Sequence, residues 1–186
     1  MGQKNDFPLF IFLACLLLAG AAAAQTQKTE VVQMARTVTA GMSIQSPSFG
    51  MNEYIPVEFT CKGKDTSPPL LVENVPAGAK SLAMIVDDPD APAGTWVHWV
   101  QWNIPPETRL IEAGSAPKSA VQGINSWGKA AYGGPCPPSG VHRYFFKLYA
   151  LNTMLSLGRG AGKRELEAAM RGHIIARAEL VGLSRK

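Results

Sequence analysis

Val97–Ile104 (V-H-W-V-Q-W-N-I), led in by Trp96, and His142–Leu151 (H-R-Y-F-F-K-L-Y-A-L) decide the fold class. Both carry apolar residues at a period of two, the repeat at which successive side chains leave a strand on opposite faces. On a strict alternation Trp96, His98, Val100 and Trp102 share one face of the first strand. His142, Tyr144, Phe146, Leu148 and Ala150 share one face of the second. Ser81–Asp87 (S-L-A-M-I-V-D) reads as a third strand, Ile55–Phe59 as a short half-buried one, and Ile174–Leu180 as the last.

Proline and glycine punctuate the intervals: Thr66–Pro69 (T-S-P-P), Pro76–Gly78 (P-A-G), Pro89–Gly94 (P-D-A-P-A-G), Pro105-Pro106 and Gly133–Gly140 (G-G-P-C-P-P-S-G). Pro fixes φ and Gly permits positive φ, so these are turns and loops. Good helix formers run together in Lys163–Met170 (K-R-E-L-E-A-A-M), between Gly162 and Gly172. The chain is therefore a mostly β domain.

Residues 1–24 have a head carrying Lys4, an apolar run from Phe7 to Leu18, then Gly20 and four alanines, the pattern of a secretory signal peptide cleaved after Ala24. Residues 25–41 read as a leader without pattern, and 42–184 as the folded domain. The destination is then periplasmic or secreted. Removing the signal leaves two cysteines, Cys61 and Cys136, in an oxidising compartment. They form either a disulfide or two separately buried thiols. Net charge is +4, with Lys and Arg dispersed rather than clustered, which argues against nucleic acid and leaves mild attraction to anions or acidic lipid surfaces.

Asp87-Asp88-Pro89-Asp90 places three carboxylates at the end of an apolar strand, in a loop stiffened by prolines. Carboxylates there can fix histidine tautomers, and His98 and His142 each open a strand. Gly133–Gly140 could turn backbone N–H groups toward an anion. Asp88, His142 and Ser139 supply the residue types of a hydrolytic triad, but Ser139 has no G-x-S-x-G elbow and sits three residues before its base. Metal-binding spacings such as H-E-x-x-H or paired C-x-x-C are absent, and no cofactor is expected.

Asp88–Pro92 (D-P-D-A-P), Trp96–Trp99 (W-V-H-W), Gly134–Pro138 (G-P-C-P-P) and Gly140–Tyr144 (G-V-H-R-Y), in that order, resemble the phosphatidylethanolamine-binding protein family, in its prokaryotic Raf-kinase-inhibitor-like branch. The resemblance extends from about Ile44 to Leu183. It implies a large Greek-key antiparallel sheet packed with a smaller sheet and a few peripheral helices. It also implies a shallow pocket for phosphate-like or other anionic headgroups, lined by Asp88, His98, His142 and Tyr144, with Trp96 as an apolar wall and Cys136 and Pro138 at the rim. Asp90 is expected to brace the loop. Val72 and Ser126 depart from the branch, which often carries Trp and Asp there, and the kinase-regulating role of animal members is not carried over. The expected function is an exported binding protein for a small anion or phospholipid headgroup, touching membranes at most peripherally and modulating a partner protein. The alternatives are an inhibitor of an exocytoplasmic protease, with Ala113–Gly128 as the longest loop, and a weak hydrolase using Asp88, His98 and His142.

Amino-terminal sequencing of exported material should begin near Gln25; soluble cytoplasmic protein retaining Met1 would contradict the signal.

Overall fold

The structure, a computed structural model, describes residues 1–2 and 41–186. The signal peptide and leader expected before residue 42 therefore lie almost wholly outside the described residues. In chain order the strands are β1 (Ser43–Gln45), β2 (Glu53–Tyr54), β3 (Leu70–Glu73), β4 (Ser81–Asp88), β5 (Trp96–Ile104), β6 (Leu110–Ile111), β7 (Val121–Gln122), β8 (Val141–Leu151) and β9 (Ile174–Arg185), with helix α1 (Lys163–Met170) before the last strand. They form a small sheet, β1-β3-β6, and a large one, β2-β9-β8-β4-β5-β7.

Within the large sheet, β4, β5 and β7 lie side by side and β8 returns beside β4, which is the Greek-key order. All of its pairs are antiparallel except β2 with β9, which is parallel. Among the described residues the helical elements are α1 and a 3-10 turn at Val57–Phe59, in keeping with the few peripheral helices expected. That turn also replaces the strand read at Ile55–Phe59. Phe59 N–H bonds back to the Pro56 carbonyl (3.0 Å) and Thr60 N–H to that of Val57 (3.0 Å), so the segment curls and buries Phe59 instead of extending.

β4 is buried along its whole length because both its faces are covered. On one side Leu82, Met84 and Val86 pack with Ile44, Leu70, Val72 and Ile111 of the small sheet. On the other, Ala83 and Ile85 pack with Leu155 and with Leu166 and Met170 of α1. Alternation alone accounts for this strand.

It fails on β5. Val86 faces Trp99 but Asp87 faces Val97, so His98 is an extra residue opposite the end of β4; a second irregularity lies between Gln101 and Ile104, where Asn103 has φ 55°. A bulge of this kind shifts the face of every following side chain. Trp96, His98, Val100 and Trp102 therefore do not share a face: Trp99 joins the core under the small sheet, while Val100 and Trp102 join the core under α1. Ala113–Gly128 is likewise not one long loop, since Val121–Gln122 is the edge strand paired with β5.

The three carboxylates of the Asp87–Asp90 run part company as well. Asp87 is completely buried on the helix side, where Lys147 Nζ (2.7 and 3.0 Å) and Lys163 Nζ (2.6 Å) donate to it. Lys163 is the first residue of α1, so this ion triad pins the helix to the sheet. Glu165 completes the helix start by accepting the Gly162 N–H (3.1 Å).

Asp87→Ala leaves two ammonium groups facing each other with no acceptor. It should cost about 1.5–3 kcal/mol, the range for hydrogen bonds to charged groups, read as a lowered urea midpoint.

Candidate ligand site

The end of β4 and the starts of β5 and β8 meet at a cavity of about 570 Å³. Asp88, Trp96, His98, Cys136, Pro138 and Tyr144, six of the seven residues expected there, line it. His142 is not in the wall. Its Nδ1 donates to Asp88 Oδ2 (2.8 Å), with both side chains buried, so it holds Asp88 from behind. Asp88 Oδ1 accepts the Asp90 N–H (2.8 Å), and both carboxylate oxygens are thereby engaged.

His98, the bulge residue, is 2% exposed, and its Nδ1 lies 2.6 Å from the Gly133 carbonyl. A carbonyl can only accept, so Nδ1 carries the proton and Nε2 is left with a lone pair. Burial, the largest cause, lowers the pKa of the imidazolium below its ordinary value; the Gly133 carbonyl and the charge of Asp88 oppose it. His98 meets Tyr144 and Trp127 edge to face, with centroids 5.1 and 5.0 Å away, and Trp127 meets Trp96 in the same way at 5.3 Å. The result is an aromatic box with one polar corner.

At that corner the Tyr144 hydroxyl is buried and has no hydrogen-bond partner. Burial, then the charge of Asp88, push its ionisation up. The Cys136 amide acts in the opposite direction, but neither it nor Asp88 bonds the hydroxyl in acceptable geometry. A buried, unsatisfied hydroxyl costs free energy that a ligand atom can recover.

The loop from Gly133 does not present a row of free amides. Gly133 N–H bonds the His98 carbonyl (3.0 Å) and Gly134 N–H bonds Asp65 Oδ1 (2.6 Å). These glycines are needed for closeness: a Cβ on Gly134 would stand 2.6 Å from the Phe59 carbonyl oxygen, and one on Gly133 would stand 2.5 Å from the Trp127 ring. Pro135, Pro137 and Pro138 have no N–H, so the Cys136 amide is the loop's remaining donor near Tyr144.

Asp65, Asn125, Trp127, Lys129 and Tyr132 also line the cavity and were not read from the sequence. Asn125 shapes their loop: its Oδ1 accepts the Trp127 and Lys129 N–H groups (both 3.0 Å), and its Nδ2 donates to the Ala131 carbonyl (2.8 Å). Ser126 Oγ caps the start of β5 by accepting the Val97 N–H (2.8 Å). Cys61 and Cys136 are joined by a disulfide, Cα atoms 5.5 Å apart, and both are exposed, so they are not two buried thiols. Ser139 makes no hydrogen bond to His142 among the described residues.

The family model for phosphatidylethanolamine-binding proteins matches residues 45–185. The chain belongs to the phosphatidylethanolamine-binding protein family. Among relatives of this family member, the UPF0098 protein of Methanothermobacter thermautotrophicus is 50% identical over 78% of this chain and 99% of that protein. The UPF0098 protein of Aquifex aeolicus is 47% identical over 78% of this chain and 89% of its own length. The crystal structure of a phosphatidylethanolamine-binding protein homologue from Chlamydia trachomatis matches with a TM-score of 0.76 and 43% identity, over 78% of this chain and 98% of the other. That of YbcL from Escherichia coli, described as a new member of the mammalian PEBP family, matches with a TM-score of 0.74 and 32% identity, over 79% and 99%.

Beside the cavity, Arg143 braces the Asp88–Pro92 loop. Its Nε (2.9 Å) and Nη2 (2.7 Å) donate to both oxygens of Asp90, and its N–H donates to Oδ2 (3.0 Å). The guanidinium holds the Asp90 carboxyl down at about 2, against an ordinary 3.8. A depressed carboxyl stabilises the fold above its unfolded value and ceases to do so as pH falls through its folded one. An NMR titration should therefore find Asp90 half-protonated near pH 2, and Arg143→Ala should move that midpoint up toward 3.8.

Proposed function

We propose that this family member is an exported binding protein whose cavity takes a small ligand bearing a phosphate-like or other anionic headgroup, free or carried on a phospholipid. The observation that carries the reading is the unpartnered, buried Tyr144 hydroxyl, set with His98 and Lys129 in one cavity wall. A hydroxyl, an imidazole able to gain a proton and an ammonium group are the donors an anionic oxygen needs. Asp88 would repel an anion if bare, but His142 and the Asp90 amide already occupy its oxygens. The aromatic walls exclude water from these contacts, and the rim carries Trp127, 43% exposed, beside Pro92 and Ala93, apolar groups suited to the chain side of a lipid headgroup.

Binding should strengthen from pH 8 to pH 5.5. Burial keeps His98 neutral, a bound anion favours its charged form, and proton uptake is then linked to ligand uptake. Calorimetric titrations of phosphoethanolamine and of acetate, which stays ionised over this range, measure the linkage. Tyr144→Phe should weaken both ligands by about 0.5–1.5 kcal/mol at either pH, and His98→Ala should abolish the pH dependence for acetate. Vesicles with and without phosphatidylethanolamine separate the lipid-borne headgroup from the free one. Equal affinities for wild type and both variants at both pH values would overturn the assignment.

A further inference from the structure

We infer that the Cys61–Cys136 bridge is a thiol-exchange site in the cavity wall, at which a small thiol is captured on Cys136. The inference rests on the cavity admitting a small molecule, the reading above, and not on which headgroup it prefers.

Both cysteines are exposed and both line the cavity. Neither belongs to the two apolar cores, so the sheets do not depend on the bond. The loops it joins are also held by other means: the Cys61 N–H bonds the Pro135 carbonyl (3.1 Å), the Gly134 N–H bonds Asp65 (2.6 Å), and the Tyr132 hydroxyl bonds the Phe59 carbonyl (3.0 Å). Opening the bridge therefore leaves the cavity standing.

The two sulfurs are not equivalent. Cys136 sits between Pro135 and Pro137, with Pro138 following, and fixed φ angles keep it in the wall. Cys61 opens the turn Cys61-Lys62-Gly63-Lys64, whose backbone is tied to the preceding 3-10 turn (Gly63 N–H to the Thr60 carbonyl and Lys64 N–H to that of Glu58, both 3.0 Å). Its side chains are exposed, so once the bond opens the Cys61 side chain can rotate outward. In the exchange the incoming thiolate attacks Cys136 Sγ, the Cys61–Cys136 bond breaks, and Cys61 leaves as a thiolate that takes a proton from water. One disulfide replaces another, with no net oxidation. Lys129, in the cavity wall, favours the attacking thiolate, while Asp65 is engaged with Gly134 and the Lys62 ammonium with the Arg185 carbonyl (3.3 Å). Cys61 then swings away, and the adduct remains inside the cavity on the rigid partner.

Folded wild-type protein held in a cysteamine–cystamine buffer, quenched in acid and mapped by mass spectrometry, tests this, with circular dichroism reporting the fold. The expected result is cysteamine on Cys136 and a free thiol at Cys61, in excess over the reverse adduct on the order of tenfold. Cys61→Ser should carry the same adduct on Cys136 with cystamine alone. Equal labelling of both cysteines, labelling only after denaturant is added, or reduction straight to two free thiols overturns the proposal. If phosphoethanolamine fails to bind while Cys136 is captured, the headgroup reading falls and the exchange site stands; headgroup binding without capture has the opposite meaning.

Discussion

At the end of β4 two consecutive carboxylates leave the strand on opposite faces, and each is neutralised by a different layer of the molecule. Asp87 goes under α1 to Lys147 and Lys163, and Asp88 goes to His142 at the start of β8. A buried carboxylate without partners is expensive, so both layers must be in place for β4 to end where it does. The helix position, the start of β8 and the floor of the cavity all follow from that pair of obligations. Arg143 adds a third clamp from the same strand by gripping Asp90.

The extra residue in β5 converts this ion-pair scaffold into a site. Without the bulge, the side chain two after Trp96 would fall in step with Val100 and Trp102, which pack under the helix. With it, His98 stays on the cavity side with Trp96 while Trp99 still fills the core beneath the small sheet. Bulges bend and re-aim a strand locally, and here the re-aimed side chain is an imidazole whose pKa burial lowers. The remaining walls come from loops that need no regular structure, because Asn125, Asp65 and the Gly133-Gly134 pair supply hydrogen bonds and close approaches in its place. The disulfide closes the same two loops across a sequence separation of 75 residues. In the chain-entropy view, fixing so long a loop favours the folded state by about 4 kcal/mol, although the cores do not require it.

Much of this was legible in the chain. The central strands showed because β8 alternates over most of its length and β4 is a short unbroken apolar run, and α1 showed because its helix formers lie between two glycines. The Asp-Pro and Gly-Pro motifs, through their resemblance to a known family, led to six residues that do line one cavity. The residues that were missed, among them Trp127, Lys129 and Asn125, lie in a segment with no period and no motif. Asn125 is a turn former by type, but only its three bonds to the loop reveal that it organises the wall.

The sequence by itself determined the mostly β class, the position of the helix and the identity of the polar groups gathered near the ends of the strands, because these depend on local period, turn chemistry and residue type. Tertiary structure alone decided the faces. Which core receives Val100 and Trp102 depends on a one-residue slip between β4 and β5, and whether His142 reaches ligand or stands behind Asp88 depends on how the start of β8 lies against the end of β4. A slip of that kind costs nothing in local pattern and is fixed only when three layers pack at once, the condition that also leaves the Tyr144 hydroxyl without a partner.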